Sequence, residues 1–250
     1  MACIYIVVPC YNEEEVLPES ARLLRMKLQS LIAAGKADAS SRLLLVDDGS
    51  TDRTWSIIRS LCGENELICG LRLSKNRGHQ NALLAGLITA AGHSDASVSI
   101  DADLQDDIEA IEPMVDKFNA GTQIVCGVRK NRDSDTLLKR FTAHGFYFLM
   151  GIFGSKTIFD HADFRLMSSG ALRELCRFGT EELYLRGLIV RLGYPIEKVY
   201  YDRMPRTAGE SKYSLRKMLA LAKMGFESKK MQPASQPVKG ELYIAEEIIK

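Results

Sequence analysis

The sequence predicts an α/β protein, a mostly parallel sheet with helices on both faces. Through the first 130 residues, short continuous aliphatic runs alternate with segments of helical period. The runs are apolar without a polar alternation, which is how a strand buried on both faces reads. Each polar motif in this half directly follows a strand. Strand–helix alternation gives parallel strands with helices on both faces, and in open sheets of that kind the ligand crevice lies beyond the carboxyl ends of the strands.

In order, residues 4–8 (IYIVV) are a first strand. Residues 13–31 are a helix, with Leu17, Leu24, Leu28 and Leu31 at helical spacing. Residues 43–46 (LLLV) are a second strand, followed by a helix that starts at Thr51-Asp52 and carries Trp55, Ile58 and Leu61 on one face. Residues 70–73 are a third strand and 81–91 an Ala- and Leu-rich helix. Residues 96–100 are a fourth strand, 108–120 a helix and 123–128 a fifth strand. The second half is less regular. Residues 137–153 read as an apolar, aromatic helix, 168–178 and 180–192 as helices, 196–201 as a strand and 214–224 as a basic amphipathic helix. After Met231 the chain turns polar and Pro-containing, then Glu-rich, which is the composition of a disordered tail. The expected divisions are a domain at 1–213, a membrane-proximal helix at 214–230 and the tail at 231–250.

A chain of 250 residues with 46% hydrophobic and 26% charged residues buries a core without disulfide staples. The formal net charge of +1 points to no nucleic-acid partner. Cys3, Cys10, Cys62, Cys69, Cys126 and Cys176 occur singly and form no CxxC pair, as in reduced, buried thiols. The apolar run at 4–8 lacks a basic flank and meets Pro9 and three glutamates, so it reads as a strand rather than a secretion signal. The longest apolar stretch, 145–154, is shorter than the ~20 residues that span a bilayer.

Asp101-Ala102-Asp103-Leu104-Gln105 carries the clearest chemistry. Two carboxylates one residue apart at a strand end suit Mg²⁺ or Mn²⁺, which prefers oxygen ligands and leaves positions for substrate phosphates. The competing reading is a solvated turn, or a helix cap from Asp106 or Asp107. Asp47-Asp48-Gly49-Ser50-Thr51-Asp52 also closes a buried strand. Ser50, Thr51 or Asp52 caps the next helix, and the remaining carboxylate suits a ribose hydroxyl or a base N–H. After the first strand, Asn12 is either a cap or a ligand contact, and Tyr11 is placed to stack on a base. His79 is either structural or catalytic. Asp160-His161-Ala162-Asp163-Phe164-Arg165 reads as a loop before a helix, with Asp163 either paired to Arg165 or active in chemistry. Arg203, Arg206 and Lys212, around Gly209, form a basic loop suited to phosphate. From 203 to 230 there are eight Lys or Arg against Glu210 and Glu227, an excess that also suits anionic lipid.

Taken in order, VPCYNEEE at 8–15, VDDGSTDRT at 46–54, NRGHQNALLAG at 76–86, DADLQD at 101–106, GVR at 127–129, DHADFRLM at 160–167 and RTAGESKY at 206–213 resemble the family-2 glycosyltransferases of GT-A fold. The pattern is most similar to the dolichol-phosphate mannose synthase and bactoprenol glucosyltransferase branch, and it covers about residues 4–215. The resemblance implies a Rossmann-like GT-A sheet followed by a C-terminal amphipathic helical region. It implies nucleotide-sugar contacts at Pro9, Tyr11, Glu13, Asp48, Asp101, Ala102 and Arg129, and a metal at Asp101, Asp103 and Gln105. It assigns acceptor or phosphate binding to Arg165, Arg203, Arg206 and Lys212, and catalysis to Asp163, Asp103 and Arg206. The implied partners are a nucleotide-sugar donor (UDP-linked before GDP-linked), a polyprenyl-phosphate acceptor, the membrane surface and a second copy of the chain. The implied location is the cytoplasmic face of a membrane, held peripherally or through a further C-terminal segment.

The sequence departs from that pattern twice. It turns polar after Phe226, where bactoprenol-type relatives continue into membrane helices, and it has Ala162 where Gly commonly precedes the acid. The alternatives are a family-2 enzyme acting on a soluble or cell-wall glycan and a non-catalytic nucleotide-sugar-binding subunit. No GxGxxG follows a strand, which argues against a dinucleotide oxidoreductase.

Overall fold

The computed structural model describes residues 1–130, 161–178, 185–203, 233–234 and 245–249. The expected apolar helix at 137–153 and membrane-proximal helix at 214–230 lie outside the described residues, as do Arg206, Lys212 and Gly209. The strands are β1 (Ile4–Cys10), β2 (Arg42–Asp47), β3 (Ile68–Leu73), β4 (Ala96–Ser99), β5 (Ile124–Arg129), β6 (His161–Ser168), β7 (Ile196–Tyr201) and β8 (Ala245–Ile249). The helices are α1 (Leu17–Ala33), α2 (Thr54–Glu64), α3 (His79–Ala91), α4 (Ile111–Asn119), α5 (Ser169–Leu175) and α6 (Leu185–Ile189). The sheet order is β7-β5-β6-β4-β1-β2-β3-β8. β6 and β8 run antiparallel to their neighbours, and the other pairings are parallel.

The two-sided core explains why the strands read as unbroken apolar runs. On β1, Ile4, Ile6 and Val8 face a core with Leu17, Leu24, Leu28 and Leu31 of α1 and with Ile111, Met114 and Val115 of α4. Val7, with Leu44 and Val46 of β2, faces the opposite core with Leu83, Leu84 and Leu87 of α3 and with Leu172 and Leu175 of α5. Each fully buried Leu contributes roughly 2 kcal/mol of transfer free energy, so α1 is held by its apolar stripe far more than by its ends. α3 lies unusually close to the sheet at Gly86. A Cβ there would come within 2.5 Å of Val7 Cγ1 and 2.7 Å of Val46 Cγ2, so glycine sets how near the amino end of α3 stands to the strand ends.

Two expectations are corrected. Residues 161–168, read as a loop before a helix, form β6. Phe164 and Leu166 enter one core and Met167 the other, so the segment alternates between the faces as a strand does. Its charged residues are paired inside the protein, which hid that period. The tail expected to be disordered contributes β8, which covers the outer edge of β3 from Gly70 to Leu73. Among the described residues, no helix is long and apolar enough to cross a membrane.

Candidate active site

Three loops at the carboxyl ends of β1, β2 and β4, together with the beginning of β6 and the amino end of α3, build one site. The first two loops are laced together. Asn12 N donates to Ser50 Oγ (3.0 Å), Glu13 N to Thr54 Oγ1 (2.9 Å) and Glu14 N to Asp52 Oδ2 (3.2 Å), while Asn12 Oδ1 accepts from Thr51 N (2.9 Å). Asn12 adopts φ +52°, a region that Asn tolerates better than most residues. Tyr11 is exposed at the mouth of this corner, and Pro9 is buried in β1 level with Val46. Asp52 Oδ1 also accepts from Thr54 N (2.9 Å) and so supports the start of α2.

Asp48, expected at the nucleotide, lies buried beneath this corner. It is 2% exposed, and its carboxylate accepts from Arg77 N (2.7 Å) and Gly78 N (2.9 Å). Burial raises its pKa, against the pull of those two amides. Asp48 therefore fixes the turn that leads into α3 and sets His79 at the head of that helix.

His79 is the hinge of the charge arrangement. Its Nε2 lies 3.5 Å from Asp101 Oδ1 and 3.7 Å from Asp163 Oδ2. The register explains the meeting: Ser99 of β4 pairs with Arg165 of the antiparallel β6. Two residues beyond Ser99 and two before Arg165, Asp101 and Asp163 fall side by side. Burial opposes charge on the imidazole, but Asp101 and Asp163 outweigh it and raise the His79 pKa to about 9.

Asp163 is 6% exposed. Its Oδ1 accepts from Arg165 Nη2 and from Arg186 Nε (3.2 Å); its Oδ2 accepts from Arg186 Nη2 (3.0 Å) and Gln80 Nε2 (2.9 Å). Burial alone would raise this carboxyl, yet Arg186 and Arg165 overcome it and hold the pKa well below the ordinary carboxylate range. Such a group is a weak base. Arg165, expected to meet an acceptor phosphate, is 1% exposed inside the sheet. It is the inner counter-ion of Asp163.

The loop after β4 is held from below. Ser20 Oγ of α1 donates to the Ala102 carbonyl (2.6 Å), Gln105 N donates to Asp103 Oδ1 (3.2 Å), and Leu104 takes φ +44°. Asp106 is buried and accepts from Tyr201 Oη (2.6 Å) and Arg129 Nη2 (3.0 Å). Arg129, expected at the nucleotide sugar, is here the partner of Asp106 and Tyr201, with its side chain 27% exposed. Arg203 donates to Gln105 Oε1, so two residues expected to serve metal and phosphate separately meet each other. Asp107 Oδ1 accepts from Glu109 N (2.9 Å) and caps the following turn.

A divalent cation fits the donor set. Desolvation among its neighbours and the carboxylates of Asp106, Asp163 and Asp103 push Asp101 up, against His79. That crowding of hard oxygen donors is what an added positive charge relieves. Among the described residues, no three of His, Cys, Asp and Glu are close enough to cage an ion unaided. The fit is thus to a cation held by one or two carboxylates and completed by substrate phosphates.

His79 was left open by the sequence, and Gln80 and Arg186 were not singled out. Nothing in the local sequence marked Arg186, since a cation among Leu185, Leu188 and Ile189 is the ordinary pattern of an amphipathic helix.

The Glycosyl transferase family 2 model matches residues 5–176. The uncharacterized glycosyltransferase YkoT of Bacillus subtilis (strain 168) is 48% identical over 228 residues, covering 91% of this chain and 68% of that protein. A bactoprenol glucosyl transferase of Shigella phage SfV is 36% identical over 226 residues, covering 90% and 71%. Among solved structures, glucosyl-3-phosphoglycerate synthase from Mycobacterium tuberculosis in complex with Mn²⁺, UDP and phosphoglyceric acid superposes with a TM-score of 0.57 at 19% identity, covering 91% of this chain and 77% of that one. At that identity the likeness establishes a shared GT-A fold.

Proposed function

The chain belongs to glycosyl transferase family 2, and from that premise we propose that it transfers a hexose, with inversion, from a UDP-sugar to a polyprenyl phosphate. One observation carries the proposal. His79 lies between Asp101, on the donor-side loop, and Asp163, on the neighbouring antiparallel strand, so residues assigned to donor binding and to catalysis share one charged corner. The bactoprenol glucosyl transferase relative supports the lipid acceptor, and the fold likeness to a synthase solved with UDP and Mn²⁺ is consistent with the donor.

In this reading the loops at 11–14 and 50–54 hold the nucleoside, with Tyr11 against the base. Asp101 and Asp103, with Gln105, would hold Mg²⁺ or Mn²⁺, which would supply charge neutralisation for a departing diphosphate. The acceptor phosphate oxygen forms the bond to the anomeric carbon from the face opposite the breaking bond to the nucleoside diphosphate. A phosphate monoester, with a second pKa of about 6, is already largely dianionic at neutral pH. Asp163 therefore need take no proton, in keeping with its lowered pKa. The greater difficulty is bringing an anion to an anionic donor, and the cations at this end of the sheet offset it. The basic segment at 214–230, together with 137–153, is proposed to rest on anionic lipid, with 1–213 as the catalytic unit.

The test is a panel of nucleotide sugars with a short-chain prenyl phosphate, with and without Mn²⁺. Cation-stimulated formation of a glycosyl prenyl phosphate from a UDP-sugar is expected. Transfer to a soluble glycan instead, or nucleotide-sugar binding with neither transfer nor hydrolysis, would reject the acceptor or the activity respectively. Replacing Asp163 with Asn should leave measurable transfer across the pH range. Total loss at every pH with both substrates still bound would make it the proton acceptor.

A further inference from the structure

We infer that Arg186 is the cation that receives the anionic end of the acceptor, and that Asp163 is the positioning residue that aims it. The inference rests on the polyprenyl-phosphate reading given above.

The exposures separate the three charged groups of this cluster. Arg165 is 1% exposed and Asp163 6%, whereas the Arg186 side chain is 30% exposed. A ligand arriving at the strand ends meets Arg186 and not the carboxylate behind it. The hydrogen bonds point the same way. Both Asp163 oxygens already accept two bonds each, from Arg165, Arg186 and Gln80. Accepting a proton or a hydroxyl from substrate would require one of those donors to leave.

Arg186, in contrast, is gripped through two of its nitrogens, Nε and Nη2, by the two oxygens of one carboxylate. This is the fork geometry that fixes the plane of a guanidinium. A pre-aimed planar guanidinium is better suited to phosphate than a flexible ammonium. Two guanidiniums, those of Arg165 and Arg186, share the Asp163 carboxylate, and Arg186 is the more exposed of the two. His79, close to both Asp163 and Asp101, places that charge beside the donor-side loop. An anion on Arg186 is therefore next to the donor while remaining distinct from the nucleotide corner formed by 11–14 and 50–54.

The experiment uses the full chain and four variants, Arg186→Ala, Arg186→Lys, Asp163→Asn and the Asp163→Asn/Arg186→Ala double. Readouts are acceptor KM and kcat at saturating UDP-sugar, UDP affinity, direct titration with the prenyl phosphate, and the melting temperature. Losing a charge-assisted phosphate contact should raise acceptor KM by about tenfold or more, with UDP affinity unchanged. Added guanidinium ion should restore part of the Arg186→Ala loss and do nothing for the wild type, and Arg186→Lys should fall between the two. Asp163→Asn should shift KM in the same direction, and the double variant should be no worse than Arg186→Ala, since both act through one contact.

Unchanged acceptor KM with weakened UDP binding would make Arg186 a donor-side cation and overturn the inference. So would an Asp163→Asn variant that loses turnover at unchanged KM. If Arg186→Ala melts below the assay temperature, the Lys variant decides by the same KM comparison. A wild type that binds the prenyl phosphate through Arg186 but transfers no sugar would sink the function while leaving the inference standing. Undiminished sugar transfer with unchanged acceptor KM in Arg186→Ala would do the reverse.

Discussion

Individual residues in this site do more to place backbone than to reach substrate. Asp48 illustrates this. Its position after β2 suggests a ribose contact, yet its carboxylate holds the amides of Arg77 and Gly78. A residue kept only for ligand binding is neutral or favourable to lose in a stability measurement; one that satisfies two backbone amides is not. Asp48→Ala should therefore lower unfolding free energy by about 2 kcal/mol or more in a urea titration without nucleotide, and unchanged stability would return Asp48 to the ligand. Beside it, Gly49 has φ +65°, and a Cβ there would lie 2.6 Å from Asn76 N and 2.6 Å from Lys75 C. Backbone strain and a backbone clash coincide, so Gly49→Ala should cost roughly 1–3 kcal/mol and loosen the turn that carries His79. The acidic motifs at 101–103 and 163 could be read from residue type and spacing. The partners of Asp163 could not, because Gln80 and Arg186 lie far from it in sequence and each has an ordinary helical setting when read locally.

At the scale of elements, what positions the site is how α1, α3 and α4 grip the sheet. Gly86 lets α3 approach Val7 and Val46. Gly86→Val should thus destabilise the protein by more than Gly86→Ala, itself about 1–3 kcal/mol, and should move the His79 ring, which an imidazole NMR shift would detect. α1 is tied to the turn and helix after β4 by Lys27, nearly buried between Glu109 (2.7 Å) and Glu112 (3.0 Å), and by Lys36 on Glu112 (2.8 Å). Hydrogen bonds from Lys36 and Lys27 lower the Glu112 pKa to about 2. A carboxylate lowered in the folded state adds stability above its unfolded pKa, and that stability is lost as pH falls through the folded value. The difference in melting temperature between wild type and Glu112→Gln should thus be full at neutral pH, shrink below about pH 4 and vanish near pH 2. A constant difference across that range would show that the network contributes nothing through charge. Element identity was legible where one face or both were apolar, as in β1, β2, α1 and α3. β6 was not, because Asp163 and Arg165 neutralise each other within a strand whose apolar residues alternate around them.

For the whole molecule, alternation of strand and helix specified the parallel half, β3-β2-β1-β4, but not where the chain turned back. β6 inserts antiparallel between β4 and β5, and only that reversal puts Asp163 beside Asp101. No local period announces such a long-range pairing. β8 was invisible for a related reason, since a Glu-rich terminal segment has weak strand propensity until the open edge of β3 offers it backbone hydrogen bonds. Removing residues 245–250 should raise amide exchange along Ile68–Leu73 while leaving β1 and β4 protected. Equal protection with and without the segment would mean that β8 does not pair there. The central claim is that one end of this sheet joins a cation-assisted donor to a lipid phosphate. Its most direct measurement is the anomeric configuration and yield of the sugar on a prenyl phosphate, for wild type and for a correctly folded Asp103→Asn variant. The account predicts an inverted product that depends on added Mn²⁺ and is lost in the variant. A retained configuration, or undiminished transfer without Asp103, would contradict it.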